Sequence, residues 1–593
     1  MRDKFESVIQ AQTKILDENN RIFNIVGIVK LILAVPFVIS LYFMFTQWDR
    51  NIFKLYSGGL LLIQTAIWIY HLKIGDIIAH AKGLIKINQR HIDRITGEWT
   101  KFKDTGEEFV NYEHPYSYDL DIVGKKSLFQ FINSTHTWSG RTQLADDLLN
   151  PAYSQAEIKE RQQAISELSS KHELASDLEY QFSKIGVDPA TPNFLSTLQS
   201  DEVFIRNKFL KFILSYLPIF TITFAGVTII FGWEHLYMQV ALLFMAQTLI
   251  WAGGLLITLK YLQGINSLQC KLDSYGKVLD MLHSSEFSSS KIQEIQSRLT
   301  GSELSAVKGI KSLATIVNKT NIRSNALIYF SLNIILLWDY DCALQFEAWR
   351  KKHSAHCGKW FSDLGELEAL VSFSNLEKVC DNTCFPEISE NKGIHADELG
   401  HPLISNDVRV TNEVKLKDNI IIISGSNMSG KTTYLRAVGI NTVLARAGSA
   451  VCAKSMICSV FNVITSMRIL DDLNSGVSTF YAELRRVKSI IDSSKIDDNT
   501  LFLIDEIFRG TNSVDRLSGA TAVITKLSQQ KVLGLVSTHD LELCDLEQSV
   551  ERISNCSFSE YYENGKIRFD YKMTAGKSKT TNAKHLMQMV GIL

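Results

Sequence analysis

The hydrophobic pattern divides the chain into unlike regions. Residues 31–48, 55–72, 212–233 and 236–259 carry no Asp, Glu, Lys or Arg. Each run is roughly 18–24 residues, or about 27–36 Å of helix, against a hydrocarbon layer of ~30 Å. A soluble helix of that length shows a polar face, and these runs show none. The pattern predicts four transmembrane helices in two hairpins. Trp48, Trp68, Tyr70, Trp233, Tyr237 and Trp251 stand mostly near their ends, as interfacial aromatics do. Beyond the second run the period becomes helical and amphipathic, with Ile74, Ile77, Ile78, Ala81, Leu84 and Ile85 on one side and Asp76, Lys82 and Lys86 between them. A stalk that continues out of the membrane is expected there. Residues 115–208 and 263–399 read as mostly helical. The run 327–338 is apolar but short and is followed by Asp339 and Asp341, so it is expected to be a buried helix rather than a fifth span.

Charge sets the orientation. Arg50 and Lys54 lie in the first connection, and the second, around residues 232–235, has neither Lys nor Arg. Flanking cations are more numerous: Arg2, Lys4, Lys14, Arg21, Lys73, Lys82, Lys86 and Arg90 around one hairpin, Arg206, Lys208, Lys211 and Lys260 around the other. Both hairpins should point outward from the cytoplasm of a multi-pass cell-membrane protein, with the remaining chain on the cytoplasmic side. The first apolar run starts too late and runs too long for a cleaved signal peptide. No ionisable residue lies in the middle of a span, so anchoring is expected and no transported solute.

Composition adds three constraints. Lys plus Arg is 62 and Asp plus Glu is 63, so no global basic excess draws the protein to nucleic acid. Hydrophobic residues at 46% exclude a disordered chain. Nine Cys without a framework fit a reducing compartment. His353, His356 and Cys357, then Cys380 and Cys384, offer ligand types for zinc, but their spacing fits no common finger pattern.

From about Val414 the pattern becomes α/β. The run 419–424 reads NIIIIS, a buried parallel strand, and leads into GSNMSGKTT and then a helical stretch. Strand, glycine-rich loop and helix in that order are the context of a phosphate-binding P-loop. Gly425, Ser426, Asn427, Met428, Ser429, Gly430, Lys431, Thr432 and Thr433 would wrap ATP. Backbone N–H groups would face the phosphates, Lys431 the β/γ oxygens, and Thr432 would ligate Mg²⁺. A second strand, 501–504, ends in Asp505 and Glu506. Asp505 would complete the Mg²⁺ shell and Glu506 would orient the attacking water. A third, 532–537, ends in Thr538 and His539, placing His539 opposite the γ-phosphate. Lys431, Glu506 and His539 are the candidate catalytic residues. The LSGA at residues 517–520 follows the acidic strand rather than preceding it, against an ABC-type transporter.

These motifs resemble the MutS family of mismatch-repair ATPases. GSNMSGKTT is similar to the family's GPNMxGKST, DDLNSGVSTF at 471–480 to its DDL-x-x-G-x-STF loop, DEIFRGT at 505–511 to its DE-x-x-RGT, and Ser537–His539 to its STH. HPLI at 401–404 resembles the entry to its ATPase domain, and the tail TAGKSKTTNAKHLMQMVGIL its closing element. Residues 127–168 and 365–378 resemble the two ends of its helical core. The resemblance implies a multidomain protein: two transmembrane hairpins, an all-α MutS-like core and a C-terminal α/β P-loop (ABC-like) ATPase domain. The expected divisions are a cytoplasmic segment 1–21, hairpin 22–72, stalk and first core segment 73–208, hairpin 209–262, second core segment 263–399 and ATPase domain 400–593. The first hairpin takes the place of the family's N-terminal mismatch-reading domain, and the second that of its levers and DNA clamp. In the family the STF loop reaches the partner's nucleotide, which implies a homodimer with Ser478 and Thr479 acting in trans. The implied function is a membrane-anchored, DNA-binding ATPase on mismatched or branched DNA. The alternative is a membrane-organising or signalling ATPase that has lost DNA.

Overall fold

With only eight prolines, little interrupts helix propagation between the apolar runs and the polar sequence beside them. The structure, a computed structural model, describes residues 2–47, 51–186, 191–200, 202–266, 269–301, 304–468, 479–508, 512–563 and 566–578. Arg2–Thr46 and Asn51–Ile95 are each one helix of 45 residues. They pair antiparallel along their length: Ser57 Oγ donates to Ser40 Oγ at 3.1 Å, Phe23 stacks on His71, and Phe5 stacks on His91. One end of the pair is outward-facing and apolar. At the other, Phe5, Ile74, Ile78, Ala81, Leu84 and Ile87 are buried against the helical core, while Ile77 stays exposed. The second pair is Lys208–Ile230 and Tyr237–Asn266. Its midpoint is held by a buried hydrogen bond, Gln247 Nε2 to Thr221 Oγ1 at 2.7 Å, the polar fastening expected between helices that gain little from burying apolar surface in lipid. Among the described residues, four helices are long and apolar enough to cross a membrane, or five if one bent pair of helices is counted as a single span.

That bent pair corrects one expectation. The run after Leu327 forms the helix Ala326–Leu336, but it is not buried: Leu327 is 82% exposed and Phe330 50%. It turns by 76° into Trp338–Val379, a helix of 42 residues. The long helix is the spine of the core and packs on Trp138–Leu149, Gln155–Ser170 and Ala306–Thr320. The closest approach is at Gly140, where an added Cβ would lie 2.0 Å from Glu368 Oε2. Glu368 accepts from the N–H groups of His136 and Thr137 and from Thr137 Oγ1 (2.5 Å), closing the N-terminus of Trp138–Leu149.

After Val379 the chain enters two sheets. The smaller joins β1 (Glu387–Ile388), β2 (Ile394–Leu399), β3 (Asn412–Leu416) and β5 (Ser455–Cys458) in the order β1-β5-β2-β3. The larger contains β4 (Ile420–Ser424), β6 (Asn462–Ser466), β7 (Thr500–Asp505), β8 (Leu533–Thr538), β9 (Ile553–Glu563) and β10 (Lys566–Ala575), ordered β10-β9-β4-β8-β7-β6. All its pairings are parallel except the β9–β10 edge. β4, β7 and β8 are buried along their whole length, which is why they read as unbroken apolar runs. The helix Lys431–Arg446 packs against β7 and β8.

Candidate functional site

Parallel register brings the carboxyl ends of β4, β8 and β7 side by side: Ser424 stands opposite Thr538, and Asp505 opposite Ser537. The glycine-rich loop leaves β4 at this edge and ends where Lys431–Arg446 begins. Gly425 has φ 150° and no room for a side chain, since an added Cβ would lie 2.7 Å from Phe558 O. Gly430 (φ 106°) precedes the helix in the left-handed region, and Met428 (φ 67°) adopts it with its side chain exposed.

The predicted residues meet here. Lys431 Nζ donates to Gly425 O (2.8 Å) and Ser426 O (2.9 Å). Thr432 Oγ1 donates to Asp505 Oδ2 at 3.0 Å, and Ser537 Oγ donates to Asp505 Oδ1. Glu506, in the left-handed region (φ 55°), touches His539 Nε2 through Oε1. Arg516 holds Asp540 through two hydrogen bonds of 2.9 and 3.0 Å beside them. Ser426 Oγ donates to Glu560 at 2.9 Å. A cavity of about 520 Å³ opens over the loop, lined by Asn427–Thr433, Glu506, His401, Tyr434, Phe558 and Tyr571 among others. Burial, then the charges of Arg436 and Arg409, hold His401 neutral, its pKa down to about 3.

The donor set suits a polyphosphate with a divalent cation. The loop offers a cradle that a Cβ at Gly425 would block, a cation at its mouth, and a hydroxyl and carboxylate side by side. Ser429 Oγ is buried without a hydrogen-bond partner, a polar atom left for a ligand to satisfy. Phe558 and Tyr571, from the β9–β10 hairpin, carried no motif. They reach the cavity because β9 pairs with β4, and an added Cβ at Gly430 would lie 3.2 Å from Tyr571.

Other predicted residues fall elsewhere. Ser478 lies outside the described residues, as do the side chain of Thr479, most of 471–480, 509–511 and the tail from 579. Of the zinc candidates, Cys357 donates to His353 O within its own helix, and Cys380 lies beside Arg409. Among the described residues the one His/Cys/Asp/Glu group close enough to share an ion is His395, Asp397 and Glu413 on β2 and β3. Glu413 there already pairs with Lys415 at 2.5 Å. The segment after the first hairpin grips this domain: Asp119 accepts from Thr465 Oγ1 (2.7 Å) and the N–H groups of Met467 and Arg468, and Asp121 accepts from Arg468 and Arg436.

A strand-loop-helix turn with acids on neighbouring strand ends defines an α/β site of the anion-binding class. Residues 421–592 match the family model "MutS domain V". This C-terminal region thus belongs to the MutS domain V family. The chain is 31% identical over 239 residues to a DNA mismatch repair protein MutS of Listeria monocytogenes, covering 39% of this chain and 27% of the relative. It is 31% identical over 242 residues to the protein of that name from Bacillus cereus, covering 40% and 26%, and 30% identical over 259 residues to that of Macrococcus caseolyticus, covering 42% and 30%. The chain thus spans little more than a quarter of the length of these relatives.

Proposed function

We propose that this protein is a membrane-anchored ATP hydrolase of MutS descent. It works as a homodimer at the cytoplasmic face of a cell membrane and acts on mismatched or branched DNA. The observation that carries the hydrolase reading is the meeting of Lys431, Thr432 and Glu506 at one cavity, with Asp505 hydrogen-bonded to Thr432 and His539 paired with Glu506 just behind them. The loop N–H groups and the N-terminus of Lys431–Arg446 receive phosphate oxygens. Lys431 turns from the carbonyls of Gly425 and Ser426 onto the β/γ oxygens. Thr432 and Asp505 hold Mg²⁺, which when bound offsets charge on the transferred phosphoryl group. Glu506 orients the attacking water and accepts its proton, and His539 fixes the Glu506 carboxylate. Ser478 and Thr479 of one protomer complete the site of the other, so nucleotide binding draws the two protomers together and hydrolysis releases them.

Four long apolar helices in two exposed hairpins support the anchor. ATP turnover by the full chain in nanodiscs tests the enzyme: the wild type is expected to hydrolyse ATP and Lys431→Ala to bind it about a hundredfold more weakly. A wild type without turnover would overturn the reading. Retention in the membrane pellet after alkaline extraction tests the anchor, and release into the supernatant would refute it.

One observation favours a second reading, a membrane-organising or signalling ATPase without DNA. The matched region is little more than a quarter of the relatives, and outside it this chain carries two pairs of long apolar helices. Titration with heteroduplex and branched DNA separates the two. Salt-dependent binding supports the first, and no binding at low salt leaves the second.

A further inference from the structure

The exposed helix Ala326–Leu336 is joined to the apolar hairpin by an unusual elbow. Leu337 takes φ 50° and is fully buried, and there the chain turns by 76°. Asp339, 1% exposed, is the hub. Its Oδ1 accepts from Arg323 Nη2 (2.7 Å) and Nε (3.1 Å), and its Oδ2 from Tyr329 OH (2.5 Å) and Trp251 Nε1 (3.4 Å). Its N–H donates to Asn333 Oδ1 at 3.0 Å, and Tyr340 OH donates to Ile250 O at 3.2 Å. Trp251 also meets Phe330 edge-on, ring centres 5.4 Å apart. The elbow is thus pinned to Tyr237–Asn266 inside its apolar run.

Two independent rulers give its depth. Trp251 stands roughly 13 Å of helix rise before Lys260, where that apolar run ends. On the long helix, Glu347 pairs with Lys211 at 2.5 Å, level with the start of the Lys208–Ile230 apolar run, and Asp339 lies roughly 12 Å of helix rise further on. Both place the elbow about one leaflet deep in a ~30 Å layer. Lys319 is consistent with this: Trp338 Nε1 donates to its carbonyl, yet its ammonium reaches back along the long helix to Gln345 at 2.8 Å, as a snorkelling lysine does. At about 16 Å the helix is too short to cross. An apolar helix of this length is a buried core helix or a re-entrant or interfacial segment, and Leu327, Ile328, Phe330 and Ile335, 39–82% exposed, exclude the first.

Building on the membrane reading above, we infer that residues 321–339 form a re-entrant element set in one leaflet, with the Leu327–Phe330 side against lipid acyl chains and the Asp339 hub closing its polar groups from the hydrocarbon. The occupant of the exposed face is the bilayer, because the face continues the exposed apolar surface of the adjoining hairpin. The element begins the helix that runs from the apolar layer to Val379, at the entrance to the sheets.

The test uses the full chain in phosphatidylcholine–phosphatidylglycerol nanodiscs, with the photo-crosslinker p-benzoylphenylalanine replacing Phe330 and, separately, the more exposed Leu327. Parallel samples carry it at Phe220 in the Lys208–Ile230 helix and at Val514 on the α/β region. Lipid adducts at Phe330 or Leu327 at least tenfold above Val514, alongside adducts at Phe220, support the inference. Adducts at Phe220 with none at Phe330 or Leu327, or crosslinks from these two to polypeptide, overturn it and leave the membrane anchor standing. No lipid adduct at any position overturns both.

Discussion

The α/β region and the helical half solve opposite problems. In the α/β region, apolar strands are sealed inside and a few polar groups are delivered to one sheet edge, where parallel register fixes their spacing. In the helical half, apolar side chains face outward from the hairpins, and the polar groups are buried one by one. Arg161, Glu179 and Glu368 are each at most 3% exposed. The first region shows how short local motifs assemble a site, since each residue sits at a strand end or at the end of the loop that leaves one. The second shows a polar skeleton whose members come from distant segments and hold their positions only through each other.

That contrast is broken most directly at the seam between the halves. Arg161 donates to Asp147 Oδ2 at 2.6 Å and to Ala447 O at 2.8 Å, beside Gly448. Arg161→Ala leaves the buried Asp147 carboxylate without its cation, held only by Gln143 and Tyr153 through Oδ1, and is expected to destabilise the chain by about 3 kcal/mol. Thermal unfolding in nanodiscs measures it, and the double variant Arg161→Met with Asp147→Leu should recover most of the loss. A single variant as stable as wild type would mean that the skeleton is ornamental.

At the sheet edge the expected effects fall on chemistry and leave stability alone. Glu506→Gln keeps the shape and removes the base, so ATP turnover should drop about 10²- to 10³-fold with binding retained. Wild-type turnover would move the water-handling role elsewhere. Lys431→Ala should weaken ATP binding by about a hundredfold, ~2.7 kcal/mol, with the melting temperature unchanged in the absence of nucleotide. Titration with a fluorescent ATP analogue reads this, and a parallel loss of stability would assign Lys431 to the fold.

The two regions also differed in how far they could be read from residues alone. Asp505, Glu506 and His539 are legible because each sits at a strand end, and Lys431 and Thr432 because the glycine-rich loop joins them to one within eight residues. Phe558 and Tyr571 are not, because they reach the cavity only through the β4–β9 pairing. The sequence of Ala326–Leu336 reads as a buried helix although the structure exposes it, because composition does not distinguish a side chain packed in protein from one facing outward as in the hairpins. Nothing in the sequence singles out Glu368 or Arg161, since a charge gives no local sign of a partner two hundred residues away.

Glu368 offers the finest test of that skeleton, read as a slope of only about 1 kcal/mol per pH unit. Burial, opposed by hydrogen bonds from Thr137 and His136 and reinforced by Glu179, raises its carboxyl from 4.5 to about 8. The folded chain therefore keeps a proton that the unfolded chain releases above about pH 4.5. Its contribution to stability is complete below that pH and is lost as pH rises towards 8, by at most about 1.4 kcal/mol per pH unit. His172 and His401, held neutral by burial with pKa values of about 4 and 3, act in the opposite direction: they cost stability as pH falls below 6.5. A difference between variants cancels them. Glu368→Gln keeps an acceptor for the His136 and Thr137 N–H groups and removes the titration. Relative to wild type, it should gain stability steadily from pH 5 to pH 8, by about 1 kcal/mol per unit. Parallel curves across that range would mean that Glu368 is already ionised, and that the Trp138–Leu149 N-terminus is closed by a carboxylate paired with charge.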